Sequence, residues 1–187
     1  LSFMQLSILI PTLPNRSVYL SELITSLNKQ LNDSIEILID SRELTITTGE
    51  KRNSLLEKST GKYVWFVDDD DDISENAIEL ILKAIETNPD VIGINGWMTT
   101  DGEQRVDWEI RLGHPYCNDP RNGKDYYLRH PNHITPMKRE HAIKVKFPHI
   151  TLGEDYAWAK QLNDEGHLKT QEIIEKPIYH YKYRSHK

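Results

Sequence analysis

An apolar run, Tyr63-Val64-Trp65-Phe66-Val67, passes directly into five consecutive aspartates, Asp68 to Asp72, and this junction constrains the fold more than any other stretch. A run of aromatic and β-branched residues this short reads as a buried strand, so the carboxylates stand at its carboxyl end. Adjacent like charges repel, and a fold that gathers them at one point usually has a cation there to offset the repulsion. Side chains alternate along extended backbone, so Asp68 and Asp70 face one way and are spaced to share a divalent ion, with Asp69 and Asp71 facing the other.

Short apolar runs alternate with helical patterns through the first half, the signature of a parallel sheet covered by helices. Residues 7–10 read as a first strand stopped by Pro11, and residues 18–30 as a helix burying Leu20, Leu23, Ile24 and Leu27. Residues 35–39 read as a second strand ending at Asp40, followed by a helix that Thr48 caps at Gly49-Glu50-Lys51-Arg52-Asn53. After the aspartates, Ser74 caps a helix with an apolar face of Ala77, Ile78, Ile81, Leu82 and Ile85, and residues 91–94 form a fourth strand. Periodicity weakens over residues 97–129, apart from an alternating stretch at 105–112, as expected of a loop-rich substrate-facing region. Further expectations are a strand through residues 133–135, a short helix over 140–145, a helix opening at Gly153-Glu154-Asp155, and strands over 168–174 and 178–183.

At 187 residues the chain has room for one domain with a substantial core. Its 29 acidic and 23 basic residues leave a net charge of -6, which argues against nucleic acid as a partner. The lone Cys117 leaves no intrachain disulfide and no cysteine metal cluster, and no stretch approaches the ~20 apolar residues that span a bilayer. A cytoplasmic location, or the cytoplasmic face of a membrane, is the expectation. Leu1-Ser2-Phe3 ahead of Met4 reads as an expression remnant, and the basic, aromatic ending as a truncation of a longer protein.

Four motifs in order resemble those of glycosyltransferase family 2, the GT-A fold of nucleotide-sugar-dependent transferases. They are Ser7-Ile8-Leu9-Ile10-Pro11-Thr12, Gly49-Glu50-Lys51-Arg52-Asn53, the strand ending in Asp68-Asp69-Asp70-Asp71 (the family's Asp-x-Asp signature), and Gly153-Glu154-Asp155-Tyr156. The resemblance implies an α/β, Rossmann-like fold with a central mixed, mostly parallel sheet and helices on both faces. It also implies a metal-dependent, inverting transfer of a sugar from a nucleotide diphosphate donor, with a UDP-sugar favoured, to a saccharide, lipid-linked or protein acceptor.

In that scheme Asp70 ligates Mn²⁺ or Mg²⁺, and Asp68 touches the same ion or the ribose, with Asp69 beside them. Pro11, Thr12, Asp40 and Arg52 hold the nucleoside, Asp40 by accepting the uracil imide hydrogen. Asp155 is the general base and Glu154 orients acceptor or sugar. His180 is the better positional match for a metal-binding histidine, while Arg184 and His186 meet phosphate. Trp97, Trp108 and Tyr116 are candidates to stack on a sugar ring.

Rival readings are a sugar nucleotidyltransferase and a non-catalytic cation- or glycan-binding module. The first needs a glycine-rich phosphate loop near the N-terminus, which Pro11-Thr12-Leu13-Pro14-Asn15-Arg16 is not. An EF-hand loop starting at Asp68 would place Ile73 where the sharp turn needs glycine.

Overall fold

The computed structural model describes residues 3–185. Strands β1 (Leu6–Pro11), β2 (Ile35–Asp40) and β3 (Tyr63–Phe66) pair in parallel with β1 in the middle. Their shared direction brings Thr12, Asp40 and Asp68 to one edge of the sheet. The ladder continues antiparallel through β9 (Met137–Lys138) to β5 (Val91–Thr100) and β6 (Glu103–Ile110), then parallel to β8 (Tyr126–Arg129), and ends antiparallel at β7 (Cys117–Asn118). Off this path, β10 (Gln171–Tyr183) lies parallel to β5 and antiparallel to the two-residue β4 (Asp72–Ile73).

Helices cover both faces, as expected. Helices α1 (Ser17–Asn28) and α3 (Ala77–Ile85) press Leu23, Leu27, Ile78 and Ile81 against the side of the sheet that carries Ile8, Ile10, Tyr63 and Trp65. Helices α2 (Thr48–Lys58) and α5 (Glu154–Asp164) bury Leu55, Leu56, Trp158 and Leu162 against Leu9, Val64 and Phe66 on the other. This two-residue alternation gives β1 and β3 two buried faces, while β2, at the sheet edge, is only partly covered. A short α4 (Arg139–Ala142) follows β9. Among the described residues no helix is long and apolar enough to cross a membrane.

Four sequence expectations shift. Asn76, not Ser74, is the N-cap of α3, and Ser74 Oγ donates to Asn76 Oδ1 at 3.2 Å instead of capping the helix. Thr47, not Thr48, caps α2, through a reciprocal box in which Thr47 Oγ1 accepts the Glu50 N–H at 3.2 Å and Glu50 Oε2 accepts the Thr47 N–H at 2.9 Å. Residues 133–135 form a turn, closed by the Thr135 N–H on the Asn132 carbonyl at 3.0 Å, rather than a strand. The two expected C-terminal strands are one strand, β10, which passes Pro177 by shifting register between Ile174 and Tyr179.

Candidate functional site

The carboxyl ends of β1 and β3, the start of α2 and the start of α5 converge on a cleft of about 410 Å³. Its walls include Pro11, Thr12, Arg52, Asp68, Asp69, Asp70, Glu154 and Asp155, eight of the residues singled out in the sequence. The Gly49-Glu50-Lys51-Arg52-Asn53 segment explains how distant parts of the chain are brought together here. Gly49 packs so tightly that an added Cβ would lie 1.8 Å from the Pro148 carbonyl oxygen. Asn53 donates to the Phe147 carbonyl and accepts the Phe147 N–H, both at 2.9 Å. These contacts fasten to α2 the segment leading to Gly153, whose φ of +82° suits glycine at the entry to α5.

Arg52 carries the link into the cleft. Its Nε donates to Glu154 Oε1 at 3.1 Å and its Nη2 to Asp68 Oδ1 at 3.0 Å, with the guanidinium buried over the Phe66 ring. Burial works against the Asp68 charge, but Arg52 and His133 more than offset it and hold this carboxyl well below the usual carboxylate range. Asp71 is the reverse. Burial, with the Asp68 charge alongside, pushes its carboxyl up, although the Lys182 N–H and the Tyr179 hydroxyl donate to it at 2.8 and 2.7 Å. Asp71 therefore fastens β10 beneath the aspartate run.

Asp69 and Asp70 are bound by arginines. Arg16 clamps Asp69 with two nitrogens, Nε 2.8 Å from Oδ2 and Nη2 2.7 Å from Oδ1, and Thr12 Oγ1 donates to Oδ2 at 2.5 Å. Asp70 Oδ2 lies 2.8 Å from Arg16 Nη2 and accepts from Arg184 Nη1 at 2.7 Å, and both guanidinium groups lie over the Tyr19 ring. Among the described residues no three histidine, cysteine or acidic side chains form a ready metal cage. The donor chemistry fits a divalent ion that takes only one or two hard carboxylate oxygens from the protein and fills its shell from phosphate and water.

Three expected roles meet a different geometry. Both Asp40 oxygens are engaged by Arg42, at 2.6 Å for the closest pair, so the carboxylate is committed within its own loop instead of presented to a base. His180 lies opposite Asp72 in the β4–β10 pairing and turns away from Asp68 to Asp71. Its Nε2 lies 2.8 Å from Thr99 Oγ1 and its ring stacks on Trp97 with centroids 4.9 Å apart, because Tyr179, its neighbour on β10, takes the inward position. Trp97, wedged between His180 and Arg105, is likewise remote from the cleft. His186 lies outside the described residues.

A second cleft of about 220 Å³ opens on the other side of Asp155, walled by Trp108, Tyr116, Tyr127, Tyr156, Arg129 and His130 among others. Tyr116 stands exposed on this wall, whereas Trp108, 5% exposed, belongs to the core. Asp68, Asp155 and Tyr181 line both clefts, and burial raises the Tyr181 hydroxyl pKa so that it stays protonated. Sequence reasoning missed Arg16, Lys51 and His133. Lys51, buried, donates from Nζ to the Thr12 and Arg42 carbonyls at 2.7 and 2.6 Å, and burial lowers its pKa. Its position beside Arg52 in the motif is a signal that could have found it; Arg16 and His133 sit in no pattern.

A polar cleft at the carboxyl ends of parallel strands, floored by strand-terminal aspartates, defines a nucleotide-sugar transferase fold of the GT-A class. The glycosyl transferase family 2 pattern matches residues 47–156, more than half of the chain, and the chain belongs to that family. Among solved structures, S. aureus TarS superposes with a TM-score of 0.69 at 17% identity, over 96% of this chain and 37% of that one. TarS 1–349 gives 0.68 at 18% identity over 96% and 60%, and its complex with UDP-GlcNAc gives 0.68 at 16% identity over 98% and 60%. The chain thus spans between about a third and two thirds of the length of these structures. No curated protein matches the sequence.

Proposed function

We propose that this domain transfers a sugar from a UDP-sugar to an acceptor hydroxyl with inversion at the anomeric carbon. The observation that carries the reading is the position of Asp155, half-buried at the junction of the charged cleft and the aromatic one. The charged cleft suits the nucleotide diphosphate, and the aromatic cleft an acceptor that stacks on rings. At the junction the Asp155 carboxylate takes the proton of the acceptor hydroxyl while that oxygen bonds to the anomeric carbon. The bond from that carbon to the β-phosphate oxygen breaks, and its electron pair leaves on UDP. Asp155 sits in the first turn of α5, which fixes its backbone at the junction.

Arg16 and Arg184 are within reach of a diphosphate lying over Asp70, and would exchange a carboxylate for phosphate oxygens as the donor enters. A Mn²⁺ or Mg²⁺ ion held by Asp70, with Asp68 beside it, would stabilise the departing diphosphate's charge. The capture of UDP-GlcNAc by a structure of the same fold makes that donor the first to try.

Calorimetric titration with UDP, with and without Mn²⁺, on the native chain and on Asp70→Asn tests the assignment. Metal-dependent binding that weakens roughly 10–100-fold in the variant is the expected result. Binding indifferent to both metal and variant would remove Asp70 from the donor site, and absence of UDP binding altogether would overturn the proposal.

A further inference from the structure

Two bridges run side by side from the end of β3 to the start of α5. One is Asp68–Arg52–Glu154, described above. The other is His133, whose Nε2 lies 3.3 Å from Asp68 Oδ2 and whose Nδ1 lies 3.5 Å from Asp155 Oδ2. The ring is only 11% exposed, and Nδ1 is a buried polar atom without a hydrogen-bond partner. Buried ring nitrogens seldom go unpaired, and the Asp155 carboxylate, whose side chain is 41% exposed, has room to close the remaining gap. No side chain among the described residues hydrogen-bonds to Asp155, and His133 is the one that approaches it within ion-pair distance.

The backbone that presents His133 is fixed to the same two elements. The Trp65 indole of β3 donates to the Ile134 carbonyl at 2.9 Å, and the Asn163 amide of α5 donates to the Pro131 carbonyl at 2.7 Å. Within the turn, Asn132 Oδ1 accepts the Ile134 N–H at 3.1 Å and Thr135 Oγ1 accepts the Asn132 N–H at 3.0 Å. The imidazole is therefore held from both sides, with one nitrogen toward each carboxylate. Arg52 fixes the neighbour of Asp155, whereas His133 meets the carboxylate that would take the proton.

From this geometry we infer that His133 is a positioning residue, which orients the Asp155 carboxylate relative to the donor lying against Asp68. The inference rests on the glycosyl-transfer reading. It concerns alignment of the base, so its loss should appear in kcat and leave donor binding in place.

The test uses the whole chain with UDP-GlcNAc, Mn²⁺ and water as the acceptor, following UDP release, alongside calorimetric UDP affinity and thermal midpoint. His133→Ala is expected to lower kcat roughly 10–100-fold with the KM for UDP-GlcNAc and the UDP affinity within about twofold. His133→Asn places an amide where Nδ1 stood, facing Asp155, and should recover most of kcat. His133→Gln places its amide where Nε2 stood, facing Asp68, and should recover little. Equal kcat in all three variants, unchanged kcat in the alanine variant, or a loss confined to KM and UDP affinity would each overturn the positioning role while leaving glycosyl transfer intact. A native chain that neither binds UDP nor releases it from UDP-GlcNAc overturns the parent reading and this inference with it.

Discussion

In the cleft that runs from Thr12 to Glu154, almost every charged group already has a partner. Arg16 holds Asp69, Arg52 holds both Asp68 and Glu154, and Arg184 holds Asp70. Across Asp155, the second cleft relies on rings. Tyr116 meets Tyr156 edge-on, and Arg129 lies over Tyr116 and Tyr127 while its Nη1 donates to the Cys117 and Leu128 carbonyls. The contrast teaches how each side would select a ligand. A preformed ion-pair network exchanges partners only with a group of matching charge and geometry, whereas an aromatic wall accepts any ring face of suitable size.

The largest effect that would sharpen this division belongs to the residue both clefts share. Asp155→Asn should lower turnover about 10²–10⁴-fold while UDP affinity by calorimetry stays within about twofold; a comparable loss of UDP binding would assign Asp155 to the donor side instead. Next comes the buried ion network. Arg52→Met leaves Asp68 and Glu154 without their shared cation and should cost about 3–5 kcal/mol in a urea denaturation series, far more than any truncation in the aromatic wall. A loss below about 1 kcal/mol would show that the network is not what holds the charged cleft together.

On the other side, Tyr156→Ala removes a half-exposed ring and its edge contact with Tyr116. It should raise the acceptor KM by no more than about tenfold, equivalent to the roughly 0.5–1.5 kcal/mol of an aromatic contact, with UDP affinity unchanged. A shift in UDP affinity here would mean that the two clefts are not separate in function.

The smallest effect compares two neighbours within the aspartate run. Asp68 has its native pKa depressed, so the stability it contributes is present above the ordinary carboxylate range and is lost as pH falls through the native value. Asp71 has its native pKa raised, so its contribution is present at acid pH and is lost as pH rises through the native value. Thermal midpoints followed from acid to neutral pH should therefore fall less with rising pH in Asp71→Asn than in the native chain. Identical pH profiles would show that Asp71 titrates as an ordinary exposed carboxylate.

Much of the charged half was legible in the sequence, because short-range rules govern it. Apolar periodicity marks β1 to β3 and the buried faces of α1, α2, α3 and α5, and the ordered motifs mark Thr12, Arg52, Asp68, Asp70 and Asp155. The aromatic half was not. Strand β6 shows its alternation, but β8 pairs with it in parallel after an intervening loop, and only that pairing brings Tyr127 and Arg129 beside Trp108. His133 is one of eight histidines in a stretch without period, and its place between two carboxylates depends on anchors from β3 and α5, far away in the sequence. Arg16 is similar: its partners Asp69 and Asp70 are more than fifty residues on.

By itself the sequence determined that a buried strand ends in carboxylates, that helices cover a largely parallel first half, and that the motifs are those of a glycosyl transferase family 2 domain. Each follows from local pattern, since side-chain alternation and helical period act over a few residues. Only the tertiary structure decided which charge pairs with which, and which face each side chain takes. His180 shows why. The register shift that carries β10 past Pro177 resets the two-residue alternation, so Tyr179 points at Asp71 and His180 at Thr99. Parity beyond such a bulge depends on the partner strand, β5, which lies about eighty residues earlier in the chain.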